Sequence, residues 1–184
     1  MSGPRKGDYV LKFAVLGDAG AGKTSLVNQF VEEKFKEDYK ATMGVNIIMK
    51  TVKLEKIDSN VRLILWDIAG QEQYEKTIQA YYEGCTGALF VFDITRYSSF
   101  VNIEFKWLED YKKHVEKIGP CILIGNKTDL LDQRYVFKDD GKKLAERINA
   151  IDYIETSAKT GDNVDSPFLT LMYDILSNYG VKIE

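Results

Sequence analysis

Leu11-Lys12-Phe13-Ala14-Val15-Leu16-Gly17-Asp18-Ala19-Gly20-Ala21-Gly22-Lys23-Thr24 runs from an apolar stretch straight into the pattern GxxxxGK[ST], and that succession decides the fold. The apolar stretch reads as a buried strand and the residues after Lys23 as a helix, with the glycines forming a loop between them. Glycine lets a backbone wrap closely around an anion and turn several N–H dipoles inward, while the helix adds the positive end of its own dipole. Gly17, Ala19, Gly20, Ala21 and Gly22 are therefore expected to cradle phosphates. Lys23 supplies mobile positive charge to the β and γ phosphates. Thr24 offers a hydroxyl where Mg²⁺ needs an oxygen ligand, with Ser25 as a further nucleotide contact. The pattern predicts a nucleoside triphosphate with Mg²⁺.

The base is read elsewhere. Ile122-Leu123-Ile124-Gly125-Asn126-Lys127-Thr128-Asp129 ends a second apolar strand with an amide, a cation and a carboxylate. Guanine presents two donors side by side, N1–H and the N2 amine, and one carboxylate at Asp129 can accept both. Adenine lacks that pair and would leave the carboxylate desolvated and unpaired. Asn126 can hold the loop and the base edge, and Lys127 can lay its aliphatic stem along the ring. Glu155-Thr156-Ser157-Ala158-Lys159-Thr160, after the apolar stretch Ile151 to Ile154, is by itself only a polar turn between strand and helix. Beside the first two motifs it becomes a third piece of the site. The Ala158 N–H can meet guanine O6, Ser157 can brace the loop of Asp129, and Lys159 can cover the second face of the base.

Between phosphate and base lie the groups that sense the third phosphate. Asp67-Ile68-Ala69-Gly70 ends the strand Val61 to Trp66, which sets a carboxylate near the metal, through water, and the Gly70 N–H near the γ-phosphate. Gln71 follows at once and can orient a water. Upstream, Asp38-Tyr39-Lys40-Ala41-Thr42-Met43-Gly44 is either an ordinary surface loop or one whose Thr42 closes onto Mg²⁺. The expected catalytic set is Gln71, Lys23 and Thr42, and the expected metal set is Thr24, Thr42 and Asp67.

With 184 residues and 45% hydrophobic content, the chain can bury a core without metal or disulfide support. Cys85 and Cys121 read as small buried hydrophobes of a reduced cytoplasmic protein. The net charge of −3 gives no basic field for nucleic acid. The one histidine, His114, falls on a helix expected from Ser99 to Glu116 and reads as a surface residue, so neither a Ser-His-Asp triad nor a multi-histidine zinc site can be assembled. Strands alternate with helices: a strand near Leu11, a helix from Lys23, a strand pair joined by the turn Asp58-Ser59-Asn60, then units starting near Ala88, Cys121 and Tyr153. This predicts an α/β domain with a mostly parallel six-stranded sheet, one antiparallel strand and helices on both faces. A last helix, Ser166 to Asn178, should turn Phe168, Leu171, Met172, Ile175 and Leu176 inward as core.

All five segments stand in the order and near the spacing of small GTPases of the Ras superfamily, which the chain resembles from Tyr9 to Tyr179. Within it, Ala41-Thr42-Met43-Gly44-Val45, Leu65-Trp66-Asp67-Ile68-Ala69-Gly70-Gln71-Glu72, Tyr81-Tyr82-Glu83-Gly84 and Val91-Phe92-Asp93-Ile94-Thr95 are similar to the Rab branch. The resemblance implies a P-loop NTPase fold, with Phe35 as an edge contact to guanine and Tyr39 as a cover over the phosphates. It implies a G domain over 9–179, a flexible segment over 1–8 and a short end over 180–184. It also implies exchange factors, activating proteins and effectors as partners, and a cytoplasmic location, peripheral to membranes where a lipidated tail is present. Ala19 stands where many relatives carry glycine, which sets a methyl group beside the γ-phosphate and puts a Ras-type activator in doubt. Ile47 replaces an aromatic that many Rab proteins use on effectors. The end Asn178-Tyr179-Gly180-Val181-Lys182-Ile183-Glu184 has no cysteine to prenylate, so either a tail is missing from this sequence or the protein works without a lipid anchor.

The leading expectation is a GTP-hydrolysing switch. No arginine occurs between Lys23 and Arg62, so the first switch loop offers none in cis, and unaided turnover should be on the order of 10⁻⁴ to 10⁻³ per second. The rivals are a scaffold that keeps GTP permanently, with Ala19 suppressing hydrolysis, and an ATP-dependent small-molecule kinase built on the same phosphate loop.

Overall fold

A computed structural model describes residues 9–32, 44–68 and 82–183. Within them six strands form one sheet in the order β2-β3-β1-β4-β5-β6. The strands are β1 (Tyr9–Leu16), β2 (Val45–Leu54), β3 (Ser59–Ile68), β4 (Gly87–Asp93), β5 (Cys121–Asn126) and β6 (Tyr153–Thr156). Only β2 runs antiparallel, from Val45 opposite Ile68 to Leu54 opposite Ser59. The remaining pairings are parallel. The hairpin turn lies earlier than the sequence suggested. Glu55–Ile57 form a short 3₁₀ turn, Asp58 takes the left-handed conformation with φ 45°, and Ser59 and Asn60 already belong to β3. Aspartate tolerates that conformation, and pairing Leu54 with Ser59 keeps both buried.

The described helices are α1 (Lys23–Glu32), α2 (Tyr97–Asn102), α3 (Glu109–His114), α4 (Lys138–Arg147) and α5 (Asp165–Asn178). Residues Ile103–Leu108 continue α2 into α3 as a π-helical stretch, so the helix expected over Ser99 to Glu116 is continuous but wider in its middle. Side chains alternate across β1. Leu11, Phe13 and Val15 face one core with Leu26, Phe30 and Phe168 from α1 and α5, where the Phe30 and Phe168 rings stack at 3.9 Å. Ala14 and Leu16 face the other with Phe100, Trp107, Tyr111 and Leu144 from the helices of the opposite side. Every residue of β4 and β5 is buried, as expected of central parallel strands covered on both faces.

His114 is half-buried rather than a plain surface residue. Its Nδ1 lies 2.9 Å from the Asp110 carbonyl oxygen, and its ring stacks on Tyr82 at 5.8 Å. Cys85 and Cys121 are not joined by a disulfide, and burial pushes each thiol up to about 11. Among the described residues no helix is long and apolar enough to cross a membrane.

Candidate functional site

Because β1, β3, β4, β5 and β6 are parallel to one another, their carboxyl ends meet at one edge of the sheet, where an open α/β fold keeps its ligand loops. The loop after β1 is tightly built. Gly17 has φ 146°, and a Cβ there would sit 2.0 Å from the Val91 carbonyl oxygen of β4, so only glycine fits. Gly22, with φ 93°, is closed in the same way, since a Cβ would lie 2.2 Å from Asn126 Nδ2. The chain then enters α1 with the Leu26 N–H donating to the Gly22 carbonyl at 2.8 Å.

Lys23, at the start of α1, is buried with its ammonium folded over the loop. Nζ donates to the Gly17 carbonyl at 2.7 Å and the Asp18 carbonyl at 3.0 Å. Burial, with a smaller push from the nearby Arg96 guanidinium, lowers its pKa to about 8 against the pull of Asp67 and Asp18. Thr24 Oγ1 donates to Asp67 Oδ2 at 2.5 Å. Asp67 is fully buried at the end of β3, and among the described residues its Oδ1 has no hydrogen-bond partner. Burial raises its pKa, opposed by the Thr24 bond and Lys23. A hydroxyl and a buried carboxylate oxygen left without a donor form an all-oxygen set that fits a hard divalent cation such as Mg²⁺.

At the other end, Asn126 joins three segments. Its Nδ2 donates to the Ala21 carbonyl of the glycine loop at 2.9 Å. Its Oδ1 accepts from Thr156 Oγ1 and from the Ala158 N–H, each at 3.1 Å. The Ala158 N–H expected to meet guanine O6 is therefore held by Asn126. Ser157 Oγ donates to Asp129 Oδ1 at 2.6 Å, and Asp129 itself is exposed. Lys127 takes a left-handed φ of 74°, and its ammonium pairs with Asp93 at 2.7 Å. Burial opposes ionisation of Asp93, but the bonds from Lys127 and Thr95 outweigh it and hold this carboxyl below the usual range. Lys159 is exposed beside Ala158.

The structure thus brings together Gly17 to Ser25, Asp67, Asn126, Lys127, Asp129, Ser157, Ala158 and Lys159. Phe35, Tyr39, Thr42, Gly70 and Gln71 lie outside the described residues. Three participants have no counterpart in the sequence motifs. Asp18 accepts from Asn102 Nδ2 on one carboxylate oxygen and from Trp107 Nε1 on the other, both at 2.8 Å. Arg96 Nη2 donates to the Ala19 carbonyl at 2.7 Å. Asn102 and Trp107 are five apart, a spacing that does not share a face of an α-helix but does where the helix widens to i→i+5 hydrogen bonding. No one-dimensional periodicity shows this.

A protein-family model described as the Ras family matches residues 12–177. The chain is 42% identical over 164 residues to "Ras-related protein Rab-1" of Theileria annulata, covering 89% of this chain and 73% of that protein. It is 40% identical over 177 residues to "Ras-related protein RABA4b" of Arabidopsis thaliana, covering 96% and 77%. Against "Ras-related protein Rab-8B" of Homo sapiens the identity is 37% over 177 residues, covering 96% and 84%.

Proposed function

The chain belongs to the Ras family, with Rab-like small GTPases as its relatives, and on that premise we propose that its GTP form engages effectors through two loops, about Lys36 to Val45 and Gly70 to Tyr82, which relax after hydrolysis. The family activity is hydrolysis of GTP to GDP and phosphate, and this chain is a guanine-nucleotide switch. The proposal concerns which of its residues do the work and what the switch controls.

In the proposed assignment, Gly17, Ala19, Gly20, Ala21 and Gly22 cradle the phosphates with Ser25 at the start of α1, and Lys23 exchanges its loop carbonyls for β and γ phosphate oxygens. Thr24 and Thr42 hold Mg²⁺ directly and Asp67 holds it through water; bound there, the ion neutralises charge on the phosphate oxygens. Gln71 orients the attacking water, and the Gly70 N–H and Thr42 sense the γ-phosphate. Asp129 accepts both guanine donors, Lys127 and Lys159 cover the two faces of the base, and Phe35 and Tyr39 close the edge and the phosphate side. The folded unit for this work is 9–179, with exchange factors, activating proteins and effectors meeting the two loops in intracellular or membrane-associated processes.

The observation that most supports the assignment is the threefold role of Asn126. One amide links the glycine loop, β6 and the Ala158 backbone, so the phosphate and base segments form one hydrogen-bonded unit. Mass analysis of nucleotide released from the purified protein, followed by loading with GTP and Mg²⁺, tests it. Bound guanine nucleotide with conversion on the order of 10⁻⁴ to 10⁻³ per second is expected. Gln71→Leu should slow that conversion at least tenfold (roughly, for loss of a water-positioning group) without loss of GTP. Retained GTP with no GDP over hours would instead support a scaffold.

A further inference from the structure

We propose that Arg96 is a positioning residue for the phosphate loop, holding the Ala19–Gly20 peptide so that the Gly20 N–H is presented, polarised, to the phosphates. The proposal rests on reading the glycine loop as the phosphate cradle. Its geometry starts from the trans peptide, in which C=O and N–H point in opposite directions. The Ala19 carbonyl accepts from Arg96 Nη2 at 2.7 Å, so the N–H of the same peptide is directed away from the guanidinium. An ionised donor on a carbonyl makes a short, strong bond, and it draws electron density through the amide so that the N–H becomes a better donor.

The guanidinium is well placed to act this way. Among the described residues it has no carboxylate partner, and its Nε is buried without an acceptor, so its charge is spent on the loop. Its Nη1 lies 3.4 Å from where a Cβ on Gly20 would be, which sets it along the rim of the loop. Rotation of the preceding residue is prevented from a second direction, because Asn102 and Trp107 occupy both oxygens of Asp18. The π-helical stretch that makes this two-oxygen grip possible has an evident use here, since such stretches lack the regular helix's hydrogen-bond geometry and recur at functional sites. The first switch loop contributes no arginine, whereas the turn after β4 brings one to the phosphate loop from the far side of the sequence.

The test uses the full chain loaded with GDP, as wild type, Arg96→Met and Arg96→Lys. Three quantities are read: the phosphorus NMR resonance of the bound β-phosphate, the rate of GDP release, and the melting temperature. Arg96→Met is expected to move the β-phosphorus resonance and to speed release about tenfold, the scale of one charge-assisted hydrogen bond. Arg96→Lys should recover most of both. The proposal is overturned if Arg96→Met leaves the resonance at its wild-type position, whether or not release or melting changes, or if Arg96→Lys recovers neither quantity. Should Arg96→Met not fold, Arg96→Gln replaces it, keeping a neutral donor, and the same resonance decides. Wild-type protein that takes up no GDP overturns the reading of the loop itself, and the proposal with it; a wild type that holds GDP beside an indistinguishable variant overturns the proposal alone.

Discussion

The two ends of the nucleotide site are held by different chemistry. At the base end the polar groups are paired with one another: Asn126 satisfies Ala21, Thr156 and Ala158, Ser157 braces Asp129, and Lys127 is matched by Asp93. At the phosphate end, charges are buried and only partly compensated. Lys23 leans on two carbonyls, Asp67 keeps an oxygen that has no partner among the described residues, and Arg96 acts on Ala19 from outside. The base end is thus built to stay as it is, while the phosphate end holds groups that gain from exchanging partners with a charged ligand. In the proposed assignment, selectivity belongs to the mutually paired end and switching to the partly compensated one.

The largest expected effect breaks the mutually paired end. Asp129→Ala should weaken guanine nucleotide roughly 10⁴-fold, because the pair of guanine donors loses its acceptor. Titration with a fluorescent GDP measures it, and a loss below tenfold would mean that selectivity lies elsewhere. Gly22→Ala attacks the joint between the ends. The new methyl would press on Asn126 from a backbone with positive φ, costing about 1–3 kcal/mol of folding stability. Urea unfolding of the loaded protein reads this, and unchanged stability would show that the two ends are not coupled through Asn126.

A third experiment isolates the partly compensated end. The folded-state pKa of Lys23, about 8, lies below its ordinary value of 10.5, so between those pH values the unfolded chain binds the extra proton. Stability then rises with pH across that window, by up to about 1.4 kcal/mol per unit. Nucleotide-stripped wild type should accordingly gain on Lys23→Met as pH climbs from 8 towards 10.5, and parallel pH profiles would refute the buried-charge account. The smallest effect sharpens the comparison. Asp93→Asn removes the carboxylate that holds Lys127 at 2.7 Å, and nucleotide release should quicken about threefold, as for a half-buried ion pair. A change above tenfold would show that the base end also depends on charge.

Much of this was legible in one dimension. The apolar runs at β1, β4 and β5 are long enough, and flanked closely enough by glycine and polar loops, to announce buried parallel strands. A cradle of five small residues before lysine and threonine has few other uses. The hairpin turn was displaced because Asp58 adopts a left-handed conformation that aspartate tolerates without advertising it, which lets Ser59 join the strand. The surface reading of His114 failed because helical position alone does not reveal the Tyr82 ring packed against it.

The sequence by itself determined the family, the order of the strands and helices, and which hydroxyls, carboxylates and ammonium groups stand in the glycine loop and in the Asn126 and Ser157 segments, since these follow from side-chain type and short spacing. Only the tertiary structure decided how they are held. Asn126 meets Ala21 across 105 positions, and Arg96, Asn102 and Trp107 reach the glycine loop across 77, 84 and 89. Contacts at such separations are fixed by the parallel sheet and by a local change of helix pitch, so they leave no periodic trace along the chain.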